Sequence, residues 1–239
     1  MTDSSPTFRA SQFVACCATL AVATACTSAS RKPPGVPPTP ATVTLENPGG
    51  DADDPQEVAL RRQLDMPWGS VSDKPERLVV PLPDPRRYRG VKFWSFDSFA
   101  GFRYGDDSYV MSALFIFDVP PGSPTDTHAC HSVAEKWALP QIKNFDVKFD
   151  KTEMIEDSWR GQEVVVTSLD GYVDFGLARW HFSGAYAAYP AYSDACLVYG
   201  MAVPWRKHGD LAQQVRDRWV KEGVPRLIAR TPTRPPPLE

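Results

Sequence analysis

Several common signatures are missing from this sequence, and each absence removes a class of function. There is no Gly-x-Ser-x-Gly elbow, no Walker A loop, no Gly-x-Gly-x-x-Gly fingerprint and no His-Glu-x-x-His pair. The usual marks of serine hydrolases, P-loop NTPases, dinucleotide enzymes and zincins are therefore not there. Positive charge is not in excess either: the net charge is -3, so nothing recommends nucleic acid or another polyanion as a partner. No cofactor motif emerges. The apolar run at residues 13–25 falls well short of the ~20 residues that a membrane-spanning helix needs. Between positions 27 and 55 there is no aromatic residue at all, and the large aliphatic ones are Val36, Val43 and Leu45, too few to bury a core.

What is present begins with that apolar run. Residues 13–25 follow a short segment carrying Arg9 and consist of small and apolar side chains, the pattern of a signal-peptide h-region. They end in Ala23-Thr24-Ala25-Cys26. Small residues leading directly into a cysteine resemble the lipobox of bacterial lipoproteins, although Ala23 stands where that family usually has leucine. The resemblance implies that Cys26 becomes the fatty-acylated first residue of the mature chain, a palmitate-bearing membrane anchor. Thr27 follows where aspartate would retain a lipoprotein at the inner membrane, which implies the outer membrane, with the domain in the periplasm or at the cell surface. Ala23 and Ala25 also satisfy the small-x-small rule for cleavage without a lipid.

Five cysteines divide without remainder. Cys16 and Cys17 leave with the leader, Cys26 is the lipid site, and Cys130 and Cys196 remain as a pair. In an exported protein such a pair predicts one disulfide.

Prolines 33, 34, 37, 38, 40, 48 and 55 keep the segment after Cys26 extended, and at ~3.1 Å per residue it would reach roughly 90 Å. The chain thus divides into a signal peptide (1–25), a lipidated tether (26–55), one folded domain (56–230) and a proline-rich tail (231–239).

Within the domain, residues 56–66 suit a short helix ended by Pro67, and residues 77–82 an edge strand closed by Pro81 and Pro83. Residues 91–104 and 109–119 flank the turn Gly105-Asp106-Asp107-Ser108 and read as a hairpin. Its second arm is apolar on both faces, so both should be covered. Ser123-Pro124-Thr125-Asp126 starts a helix that Pro140 ends, with Cys130, Val133, Ala134 and Trp137 on its buried stripe. Strands follow at 145–150, 152–159 and 162–169, then a hairpin turn at Asp170-Gly171, then strands at 172–182 and 195–205. Leu211, Val215 and Trp219 mark a last amphipathic helix, which His208 helps to start and Gly223 and Pro225 stop.

The predicted class is α+β: an antiparallel sheet of about six or seven strands packed with one inserted helix and one C-terminal helix. This order of elements resembles the α+β sandwich of the PsbP family. The resemblance is one of layout and implies no activity.

Candidate chemistry is sparse. His128, Cys130 and His131 offer zinc-type ligands, but at about 100° per residue a helix turns Cys130 away from the two imidazoles. His128, His131 and Glu135 remain a lateral set, indistinguishable from a solvated helix face, and no metal is assigned. His181, between Trp180 and Phe182, suits a hydrogen-bonded sheet position. Glu153, Glu156, Asp157 and Glu163 gather around Arg160-Gly161, where paired carboxylates would suit glycan hydrolysis and where exposed hairpin ends also place acids. Residues 183–194 read as a loop with Tyr186, Tyr189 and Tyr192 among small residues, a composition found in recognition loops; the same rings would otherwise fold back over the sheet edge. The expectation is a lipid-anchored envelope protein that binds another envelope protein, as an assembly module of a secretion, motility or cell-wall machine or as an immunity protein. The alternative is an envelope hydrolase acting on cell-wall or glycan material.

Overall fold

A computed structural model describes residues 54–73, 76–91, 100–119, 126–142, 146–156, 161–175, 178–192 and 195–230. Cys26, the leader, the tether and the tail lie outside the described residues, as do Ser123, Pro124, Thr125, Asp157 and Arg160. The class is α+β. Helix α1 (Pro55–Asp65) leads through strand β1 (Trp68–Ser72) and strand β2 (Leu78–Pro83) to a 3-10 turn and strand β3 (Tyr88–Gly90). Strands β4 (Ala100–Tyr104) and β5 (Val110–Asp118) precede helix α2 (Thr127–Ile142). Then come β6 (Asp146–Glu156), β7 (Glu163–Phe175), β8 (Ala178–Tyr192), β9 (Ala195–Trp205), helix α3 (Gly209–Arg218) and the short β10 (Ile228–Ala229).

Seven strands form one antiparallel sheet in the order β3-β4-β5-β9-β8-β7-β6, and β1-β2-β10 form a second, smaller one. Alternation of side chains divides the large sheet's apolar residues between two cores. One face presents Val110, Leu114, Val164, Val166, Leu197, Tyr199 and Val203 to Leu60 of α1, Val215 of α3, Trp219, and Leu78, Val80 and Leu82 of the small sheet. The other presents Ala113, Phe115, Leu169, Tyr186, Ala188, Cys196 and Val198 to Cys130 and Ala134 of α2. Both faces of β5 are covered, as its sequence predicts.

Helix α1 starts where its caps dictate. The Asp54 carboxylate accepts the Gln56 N–H at 3.0 Å, and Pro55 fills the first position, where a missing N–H costs nothing. At its other end the Arg218 guanidinium donates to the carbonyl oxygens of Gln63 and Met66, tying α1 to α3.

Five local expectations are corrected. The turn expected at Asp170-Gly171 is mid-strand: β7 runs through it, Asp170 pairing with Phe149 and Ser183, and Gly171 with Val147 and Phe182. A Cβ on Gly171 would lie 2.5 Å from the Asp146 carbonyl oxygen. Glycine therefore marks a close backbone approach beside the bulge between Val147 and Phe149, not a turn. Residues 183–192 are likewise strand, not loop. Strand β2 is central in its sheet, not an edge. Its prolines are tolerated because β10 reaches only Leu78 and Val79, while the Pro81 carbonyl is taken by the Tyr199 hydroxyl at 2.7 Å. Helix α2 is capped by Asp126, whose carboxylate accepts the Ala129 N–H at 2.7 Å, and it continues past Pro140 to Ile142. Finally, Gly223 and Pro225 do not stop the C-terminal helical segment: Gly223 is right-handed at φ -76°, and the chain continues as a 3-10 turn over Val224–Arg226 before Leu227 turns extended. The lack of a side chain at Gly223 admits the Trp68 ring, 2.7 Å from where a Cβ would stand.

Candidate functional site

The tyrosines expected to form a contact loop are in the core. Tyr186, Tyr189 and Tyr192 are 8%, 6% and 4% exposed. Because they lie in β8, alternation sends Tyr186 to the α2 side, where its ring stacks on His131 at 5.9 Å. Tyr189 goes to the α3 side, and its hydroxyl donates to the Val224 carbonyl at 2.8 Å. The contact-surface expectation for these three residues is therefore overturned. The alanines between them are small because both faces of this strand are covered.

Cys130 and Cys196 are joined as a disulfide, Cα to Cα 5.4 Å, with both residues fully buried. It fastens α2 to β9 at the centre of the second core.

The other candidates are dispersed. On α2, His131 faces the sheet: its Nε2 is 2.9 Å from Thr167 Oγ1, which is 3.0 Å from Thr152 Oγ1. Burial pushes the imidazole's pKa down, favouring the neutral form. His128 and Glu135 point to solvent. Among the described residues no three of His, Cys, Asp and Glu come together as a metal site. Glu153 is paired with Lys151 at 2.7 Å, while Glu156 and Glu163 face each other across the exposed end of β6 and β7. Asp84, at φ 51°, accepts from the Tyr104 hydroxyl at 3.0 Å and from Arg62 Nε at 3.3 Å. Aspartate tolerates that left-handed backbone better than most residues. A cleft between α1, α3 and the sheet is lined by Gln63, Trp68, Tyr88, Ser112, Arg218 and Trp219. Arg218 is its single ionisable cation, and its guanidinium is committed to the α1 carbonyls and to Glu222 at 3.4 Å.

The strongest surface constellation was missed at sequence level. Register places Tyr172 of β7 opposite His181 of β8, and His181 opposite Trp205 of β9. The three rings stand side by side on one face, centroids 5.8 and 4.5 Å apart. The Arg179 guanidinium lies 4.0 Å from the Tyr172 ring centroid, and the Lys148 ammonium 5.1 Å, both within the range of cation–π attraction. The Asp146 carboxylate accepts from Lys148 at 2.7 Å and from the Tyr172 hydroxyl. Lys148 first and Tyr172 second hold the pKa of Asp146 down, and Asp146 in turn holds that of Lys148 up. Around the sheet end, Arg206 covers the Trp180 ring at 4.1 Å, beside exposed Lys207. At the β4–β5 turn of the same end stand the acids Asp106 and Asp107, so the end has a cationic, aromatic half and an acidic half. The signal available in sequence was the cluster Arg179-Trp180-His181 with Trp205-Arg206-Lys207. It becomes legible only once β8 and β9 are known to pair.

No family model matches the sequence, nor does any curated protein. Among solved structures, the chain is similar to the solution structure of cyanobacterial PsbP (CyanoP) from Synechocystis sp. PCC 6803. The TM-score is 0.42 at 11% identity, over 63% of this chain and 88% of that one. A likeness of that size carries no argument about activity.

Proposed function

We propose that this chain is a lipid-anchored protein of the bacterial envelope, held at the outer membrane through Cys26. Its domain binds another envelope protein, as an assembly module of a larger machine or as an immunity protein. The cationic, aromatic end of the large sheet carries this reading. Arginine, tryptophan and tyrosine are the side chains that anchor protein interfaces, and Arg179, Arg206 and Lys207 are exposed there. The contact surface moves from the buried tyrosines of β8 to this sheet end.

The hydrolase alternative calls for convergent ionisable groups in an open cleft. The cleft described above offers Arg218, already bonded, and Tyr88, whose hydroxyl donates to Gln63 at 2.8 Å and whose pKa burial raises well above the ordinary value. His131 and Thr167 make a base and a hydroxyl within reach, but Thr167 is only 5% exposed, beneath α2.

Photo-crosslinking residues placed at Arg179, Arg206 and Lys207 in cells test the proposal. A partner adduct of one mass from all three positions, and none from exposed Arg61 on α1, is the expected result. Adducts from Arg61 alone, or none from the sheet end, would remove the surface from consideration.

A further inference from the structure

Strand β6 is the outer strand of the large sheet, and it is long for an edge, running from Asp146 to Glu156. Among the described residues no strand pairs with its outer backbone. Such a row of N–H and C=O groups is a template for another strand unless the sequence blocks it. The bulge beside Lys148 interrupts one end. The remainder carries Lys151, Thr152 and Met154 exposed and Glu153 and Ile155 half-exposed, with Met154, at 43%, an unusually open large apolar side chain.

We propose that β6 pairs antiparallel with β6 of a second copy, about a two-fold axis through Thr152, making one continuous sheet across the dimer. Two constraints select this register. In an antiparallel ladder the residues that point their backbone groups outward must oppose one another. Self-pairing of one edge therefore puts the axis through a residue rather than between two.

Charge then decides among Lys151, Thr152 and Glu153, the central residues of the bulge-free stretch from Phe149 to Glu156. An axis through Lys151 sets Lys151 against its own copy; an axis through Glu153 sets Glu153 against itself and Asp150 against Glu156. With the axis through Thr152, Lys151 opposes Glu153 twice, Ile155 falls opposite Phe149, and no like charges meet. Opposite-charge cross-strand pairs stabilise a sheet and like-charge pairs destabilise it. The ion pair that Lys151 and Glu153 make within one chain at 2.7 Å has only to exchange partners. A partner of a different sequence would not be selected by this self-complementarity. The proposal stands on the edge strand alone, independent of the lipid anchor and of the sheet-end surface.

Cross-linking in cells tests it, using the full chain in whichever fraction holds it. Thr152→Cys faces its own copy, within the Cα separation a disulfide bridges, and should give a dimer band on non-reducing gels. Lys151→Cys, displaced diagonally beyond that reach, should give little. Adding Lys151→Glu to Thr152→Cys should abolish the band, and adding Glu153→Lys as well should restore it. Without any new cysteine, the parent should sediment as a dimer in detergent, and Lys151→Glu should raise the dimer dissociation constant by about tenfold or more. A parent that sediments as a monomer overturns the proposal. So does equal cross-linking at 151 and 152, an adduct whose mass belongs to another protein, or a charge swap that fails to restore what the single reversal removed.

Discussion

His208 and Asp54, the residues that precede the first turns of α3 and α1, are joined side chain to side chain at 3.0 Å. The contact fixes the point where the chain enters the domain against the start of the C-terminal helix. Gln56 reinforces it, its side-chain amide donating to the Pro204 carbonyl at 2.7 Å.

The Asp54 carboxylate's pKa is held below its ordinary value by His208 first and by the Gln56 N–H second. A depressed folded-state pKa contributes stability that is fully present above the unfolded value, about 3.9. That contribution is lost as pH falls through the lower folded value. Asp54→Ala should therefore cost on the order of 1 kcal/mol at neutral pH, typical of an N-cap loss. Urea unfolding of parent and variant should converge as pH drops below about 4. A gap that persists unchanged in acid would assign the effect to packing instead.

Reduction of the Cys130–Cys196 bond should lower the melting temperature strongly. The bridged residues are 66 apart in sequence, and chain entropy gives such a loop roughly 4 kcal/mol, with measured values often smaller. Because both residues are fully buried, reductant should act on the native protein slowly, at the rate of opening. A non-reducing peptide map of the native protein should recover the two cysteines in one linked peptide pair. Free thiols at both positions would contradict the fold at its centre.

The three tyrosines now predict stability effects, not binding effects. Tyr189→Phe should cost about 1 kcal/mol through loss of its bond to the Val224 carbonyl. Tyr186→Ala should cost about 3–5 kcal/mol by opening a cavity under α2. Chemical denaturation measures both. Variants as stable as the parent would return these rings to the surface.

Cys26→Ala should release the protein from the membrane fraction and abolish incorporation of labelled fatty acid. The alternative, cleavage after Ala25 without lipid, predicts a parent that is already unlabelled and unanchored. Fractionation with metabolic labelling separates the two.

The sequence by itself determined the class, because its signals are local. Pro67 set the end of α1, a four-residue turn set the β4–β5 hairpin, and Leu211, Val215 and Trp219 set the last helix. Counting cysteines paired Cys130 with Cys196, since the remaining three had other expected roles. Tertiary structure decided everything that depends on which strands are neighbours. Gly171 resembles a turn residue in sequence, yet it answers to the Asp146 backbone and the Phe182 ring beside it. Tyr186 and Tyr189 resemble recognition residues, yet α2 and α3 lie over opposite faces of their strand. The row of Tyr172, His181 and Trp205 exists only through cross-strand register. The physical reason is the same each time: a side chain's local pattern fixes its backbone, while the partners brought from distant sequence fix whether it meets water or another chain segment.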